Sequence, residues 1–220
     1  MTSSCQTCSP ISLYGSVRST STSTLAFMEQ ARWRMRTAKE LLQHISRTPS
    51  FAALVKCLSI ESPSPALPGK LSRIFIPDQT AGPVQALTNL HTFAWLGYSD
   101  ELRSDIAQAL FNSCFNLRRL RIPYSNSFFP LLPKFRMLET LELARERAIP
   151  SVYDPNVNSQ AQHIVTAILS NSSTLRPVSM FGDGAWGCSD LTFTNLTNLE
   201  LLAMRDCDKL CALLSCCPQL

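Results

Sequence analysis

The sequence predicts an α/β fold: an irregular solenoid with parallel strands on a concave face and helices on a convex face. Three observations point there. One apolar spacing recurs along most of the 220-residue chain. Stretches with helical apolar periodicity separate several of its copies. Hydrophobic residues make up 45% and charged residues only 16%, against about a quarter charged in an average globular chain. That balance suits stacked units sharing one core and does not suit a disordered chain.

Residues 1–12 are assigned to a disordered N-terminus and residues 13–220 to a single array. Around that boundary Ile11, Leu13, Tyr14 and Val17 form a short apolar alternation compatible with a strand. Ser19 to Thr24 is a polar loop, and Thr24 can cap a helix that begins near Leu25. That helix is expected to run to Arg47, because Phe27, Ala31, Met35, Ala38, Leu41, Leu42 and Ile45 recur every three or four residues. Pro49 stops it. An apolar stretch from Phe51 to Ile60 follows, with Leu54, Val55 and Leu58, and then a Pro-rich loop from Pro63 to Gly69.

From there the recurrent spacing is apolar, two residues, apolar, one residue, apolar. It reads Leu71, Ile74, Ile76; Leu90, Phe93, Trp95; Leu117, Leu120, Ile122; Leu138, Leu141, Leu143; Leu175, Val178, Met180; and Leu199, Leu202, Met204. Val55, Leu58, Ile60 is a looser copy. Leu87, Phe135 and Leu196 add an apolar residue three positions ahead of a copy. The final pair of each copy has period two, so both side chains reach one face of a short strand. The first residue enters the same core from the preceding turn. Such a unit cannot bury its apolar side alone, so neighbours must stack, as in leucine-rich repeats.

Helices are expected over Asp100–Cys114 (Leu102, Ile106, Ala109, Leu110), Ser159–Asn171 (Ile164, Val165, Ile168, Leu169) and Asp206–Cys217 (Leu210, Leu213, Leu214). Strand followed by helix, repeated, gives parallel strands with right-handed crossovers. The steps are uneven. The longest, from Leu141 to Val178, holds a Pro-rich insertion near Pro150–Pro155. Short steps are expected to lack a helix.

The strand positions between and beside the core residues should line the concave face and meet a protein partner. They are Arg73, Phe75, Thr92, Ala94, Arg119, Arg121, Thr140, Glu142, Ser179, Ala203 and Arg205. Arg and aromatic residues are enriched at interface hot spots.

Other chemistry is weakly signalled. The net charge of +4 is mild and its basic residues are spread out, so nucleic acid is not expected as a ligand. No apolar run reaches the ~18 residues of a membrane span. Nine Cys, an odd number, argue against a closed disulfide framework. No apolar signal segment follows Met1, so reduced thiols and a cytoplasmic or nuclear location are expected. The Ser/Thr-rich start lacks an acid before Glu29 and leaves mitochondrial import as a lesser alternative. Cys5-x-x-Cys8 and the group Cys207, Cys211, Cys216, Cys217 lie too far apart in sequence to suggest one zinc site. Gly182-Asp183-Gly184-Ala185-Trp186-Gly187 lacks the Lys-Ser/Thr of a phosphate loop. His44, His91 and His163 stand in no catalytic motif. No catalytic residue, metal or cofactor is assigned.

The order of these segments resembles the leucine-rich-repeat-like region of fungal, especially basidiomycete, F-box proteins. The resemblance is carried by Leu13-Tyr14-Gly15-Ser16-Val17, Leu41-Leu42-Gln43-His44-Ile45, Pro49-Ser50-Phe51-Ala52 and Val55-Lys56-Cys57-Leu58-Ser59-Ile60. The later copies Asn116 to Ile122 and Met137 to Leu143 extend it. It covers roughly residues 13–220. It implies recruitment of substrates to a cullin-type ubiquitin ligase through a Skp adaptor. Twelve residues precede Leu13, too few for an F-box, so adaptor docking is not expected of the chain as read. Cys217-Pro218-Gln219-Leu220 mirrors Cys114-Phe115-Asn116-Leu117, so the array is expected to be truncated at its C-terminus. The expected function is a protein-binding scaffold like the substrate-recognition half of such a receptor. A truncated or decayed paralogue without a partner, and a Cys-dependent enzyme, are the alternatives.

Overall fold

The computed structural model describes residues 11–12, 37–60, 80–96, 102, 104–123, 128–144, 157–181, 193–202, 211, 214–215 and 217–220. Short apolar alternations become strands, as the period-two spacing requires. They are β1 (Ile11–Ser12), β2 (Cys57–Ile60), β3 (Thr92–Trp95), β4 (Arg119–Pro123), β5 (Thr140–Ala144), β6 (Pro177–Phe181) and β7 (Asn198–Leu202). Each pairs in parallel with the next, giving one sheet in the order β1-β2-β3-β4-β5-β6-β7. β1 joins it ahead of the boundary expected at residue 13.

Parallel neighbours need a crossover, and helical segments lie in each of the five connections from β1–β2 to β5–β6; residues 182–192, between β6 and β7, lie outside the described residues. Residues 37–47 form α1; α2 is Pro49–Ala52, α3 is Ala81–Ala86, α4 is Ser104–Ser113 and α5 is Val157–Ser170, with a 3₁₀ helix over Phe129–Lys134. Buried residues of these segments, such as Ile45, Val84, Ile106, Leu110, Leu132, Ile164 and Ile168, join the inward strand residues in one continuous core. The architecture is therefore α/β with an all-parallel sheet against which helices pack.

Register carries the core across the sheet. Leu58, Phe93, Leu120, Leu141, Val178 and Leu199 pair in one row. All but Leu199, which is half-buried, are buried. Ile60 with Trp95, and Ile122 with Leu143, form a second row. Val55, Leu90, Leu117, Leu138, Leu175 and Leu196 enter the same core from the turn before each strand. One turn earlier lie Ala52, Leu87, Cys114, Phe135, Asn171 and Phe193, all buried. Several of these turns close alike: Val55 N–H reaches Ala52 O at 3.1 Å, Leu90 reaches Leu87 at 3.3 Å and Leu117 reaches Cys114 at 3.1 Å.

A backbone ladder ties the strand entrances together. His91 N–H donates to Lys56 O at 2.8 Å, Arg118 to His91 at 2.9 Å, Glu139 to Arg118 at 2.7 Å, Arg176 to Glu139 at 3.0 Å and Thr197 to Arg176 at 2.9 Å. Side chains reinforce it. Asn171, 1% exposed, accepts from the Leu138 N–H at 2.9 Å and donates to the Phe135 and Ala167 carbonyls at 2.8 Å each. It thereby clips the end of α5 to the turn before β5. Cys114, at the end of α4, directs its thiol at the Leu87 carbonyl at 3.2 Å, one unit back.

Several expectations need correction. β2 pairs directly with β3, and the strand expected at Leu71–Ile76 lies outside the described residues. The last copy of the spacing is Leu196, Leu199, Leu201. Leu199 pairs with Val178 and Leu201 with Met180, while Leu202 is in register with Phe181. The expected Leu199, Leu202, Met204 register was three residues late. Leu54, Leu169 and Leu214, read as apolar core positions, are exposed, because the turn and the helix phases place them on the outer side. Pro49 does end α1, yet it also starts α2, where its missing N–H costs nothing. The short step from Leu120 to Leu141 carries the 3₁₀ helix. Residues 25–36 of the first expected helix, most of the last one and the Gly-rich patch lie outside the described residues.

Candidate interaction surface

Alternation leaves the other side of each strand for something besides the core. Cys57, Thr92, Arg119 and Thr140 are in register in one row there, with Pro177 and Asn198 paired at its far end. The next row runs Ser59, Ala94, Arg121, Glu142, Ser179, Glu200. All twelve are half-buried or exposed. Arg119, Arg121, Asn198 and Glu200 are the exposed ones. This open face therefore carries hydroxyls, small side chains and four charged groups.

The charges are sorted. Arg119 and Arg121 lie on β4, Glu142 on β5 and Glu200 on β7. Arg121 Nε meets Glu142 Oε1 at 2.9 Å. One residue before each of these strands, Arg118 and Glu139 make a 2.7 Å ion pair at the sheet's rim. Over β5, β6 and β7 the face sinks into a shallow hollow of about 190 Å³, bordered by Thr140, Glu142, Pro177, Ser179, Asn198 and Glu200. Its floor is low because Ser179 stands between two glutamates.

Of the residues expected on the binding face, Thr92, Ala94, Arg119, Arg121, Thr140, Glu142 and Ser179 come together on β3 to β6. Arg73, Phe75, Ala203 and Arg205 lie outside the described residues. Asn198 and Glu200 were missed because the last copy was registered late. Phe193 held the clue: it stands where Leu87 and Phe135 stand, three positions ahead of a copy beginning at Leu196. Cys57 and Ser59 were missed because the looser first copy was not carried through to its outward positions.

Three of the reactive side chains, Cys114, His44 and His91, have structural partners. Burial pushes the Cys114 thiol up to about 12, so at neutral pH it is a protonated, unreactive group. His44 rests on the Phe51 ring, centroids 4.9 Å apart. His91 Nδ1 donates to the Asn89 carbonyl at 2.8 Å. Among the described residues no group of three or more His, Cys, Asp or Glu could hold a metal ion. Among the same residues no helix is long and apolar enough to cross a membrane.

Comparison of the chain with protein-family models, with curated proteins and with solved structures returned no match.

Proposed function

We propose that the chain is an irregular leucine-rich-repeat-like solenoid acting as a non-catalytic scaffold that binds another protein on the open, concave face of its sheet. The observation that carries this reading is the row Ser59, Ala94, Arg121, Glu142, Ser179, Glu200. It crosses six strands, and its side chains take no part in the core. The five spacings between those six strands, about 4.8 Å each, give a stripe about 24 Å long, which an extended partner segment can follow. A sheet whose outer side only faced water would serve equally well with any polar residues. The segregation of cationic β4 from anionic β5 and β7 gives this one a direction, and electrostatic complementarity of that kind selects partners.

The finer reading follows the resemblance: the substrate-recognition half of an F-box ubiquitin-ligase receptor, working in the cytoplasm or nucleus. Its partner is then a protein to be degraded. Skp adaptor docking belongs to an F-box and is not assigned to this surface.

The test is a pull-down with the wild-type chain and with Arg119→Ala/Arg121→Ala/Glu142→Ala, probed for ligase components and for other stable partners. Wild type should retain a partner that the triple variant loses, while both melt at the same temperature. Equal retention by the variant, or no stable partner for wild type, counts against the scaffold.

A further inference from the structure

We propose that the hollow over β6 seats one cationic side chain, Lys or Arg, of an extended partner segment that places an acidic side chain over Arg119. This rests on the reading of the open face as protein-binding and specifies the chemistry of what binds there.

Geometry and charge support it together. Glu142 and Glu200 stand in register on either side of Ser179. At about 4.8 Å per strand their Cα atoms lie roughly 10 Å apart, and the small Ser179 leaves the space between them open. A volume of about 190 Å³ equals roughly six waters of liquid, enough for an ammonium or guanidinium and part of its stem. The hydroxyls of Thr140 and Ser179 and the amide of Asn198 border the same space, so a multi-donor head group finds several acceptors. Glu142 is already engaged by Arg121, whereas Glu200 is exposed and makes no ion pair among the described residues. Among the described residues the negative charge of Glu200 beside the hollow is therefore left without a cationic partner. An acidic or phosphorylated segment would bring like charge against it.

The middle of the face, on β4, has the opposite sign. Arg119 is exposed and likewise makes no ion pair among the described residues. It lies two strands from β6, again roughly 10 Å. An extended chain advances about 3.3 Å per residue, so the basic and acidic residues of the partner stand about two to four positions apart. That polarity also sets the direction in which the segment crosses the strands.

The test is selection of binders to the full chain from a random displayed peptide library, repeated on Ser179→Trp, Glu200→Lys and Arg119→Glu, each checked for an unchanged melting temperature. Trp at position 179 fills the hollow. Expected are binders lost on Ser179→Trp and enriched in Lys or Arg with an acid two to four residues away. Glu200→Lys should weaken them about tenfold and shift a fresh selection toward Asp and Glu at the seated position. Arg119→Glu should remove the preference for the acid. Binders lost on Ser179→Trp but without basic enrichment overturn the cation seat and leave the scaffold reading standing. Binders all insensitive to Ser179→Trp overturn the binding face itself.

Discussion

Asn171→Ala should destabilise the protein by about 2–5 kcal/mol, although the residue lies in a turn far from the open face. Asn171 is 1% exposed, and its side-chain amide holds three backbone groups. It accepts from Leu138 N–H at 2.9 Å and donates to Phe135 O and Ala167 O at 2.8 Å. Alanine takes all of this away. The Leu138 N–H and the Phe135 carbonyl are then left in the interior, at about 1–3 kcal/mol for each unsatisfied group. Water entering the vacated space would bring the loss toward the lower figure. The measurement is urea unfolding, in which the midpoint should fall with little change in slope. Hydrogen exchange should show the Leu138 amide losing protection ahead of the rest of β5. Asn171→Asp sharpens the argument. A carboxylate keeps the acceptor but faces two carbonyls, so burial and repulsion raise its pKa above the unfolded value near 3.9. Its stability is highest below that value and falls as pH rises through the folded pKa. A loss under about half a kcal/mol for Asn171→Ala, with Leu138 exchange unchanged, would refute the clip.

Other outcomes follow from the same structure. Leu120→Ala, in the middle of the core row and 1% exposed, should cost about 2–5 kcal/mol in denaturant unfolding. Arg121→Ala should change stability by less than about half a kcal/mol. Its ion pair with Glu142 is about half exposed on the arginine side, and such pairs contribute little. Cys114 should react with a thiol reagent at pH 8 only as fast as the protein unfolds. Its thiol sits near 12 in the folded state against a normal 9.0, so the unfolded chain loses this proton first as pH rises. Stability is then intact below about pH 9 and declines toward pH 12. Cys114→Ser should flatten that decline in urea midpoints measured across the range.

The strands were legible in the sequence wherever both the period-two pair and the leading apolar residue were present. Leu90-Phe93-Trp95, Leu117-Leu120-Ile122, Leu138-Leu141-Leu143 and Leu175-Val178-Met180 are buried with the expected register. Because the outward residues are fixed by the inward ones, Thr92, Arg119, Arg121, Thr140, Glu142 and Ser179 followed at once. The last copy failed for a physical reason. Leu199, Leu201 and Leu202 are all apolar, so two registers satisfy the spacing, and only Phe193 one turn upstream separates them. The Leu71 copy lies outside the described residues, and β2 and β3 pair directly. α3 was invisible because Gly82 and Pro83 are poor helix formers. Pro83 sits in the first turn, where an absent N–H is tolerated. The 3₁₀ helix, Phe129-Pro130-Leu131-Leu132-Pro133-Lys134, has a proline near each end and no α-helical period to detect.

This division of labour between alternate residues has a consequence for the binding face. On β4, Leu120 and Ile122 are committed to the core while Arg119 and Arg121, their immediate neighbours, are not. The energetic coupling between the two sets is weak, since exposed strand substitutions usually change stability by less than about half a kcal/mol. The face can therefore be altered charge by charge without refolding the sheet. The converse does not hold. Shifting a strand by one residue would move every core side chain to the other face. Clips such as Asn171 and Cys114, which reach back from one unit to the turn of another, oppose such a shift. Asn171 fastens the helix ahead of β6 to the turn ahead of β5, and parallel pairing aligns Glu142, Ser179 and Glu200 in one row; without that row the hollow between the two glutamates would not exist.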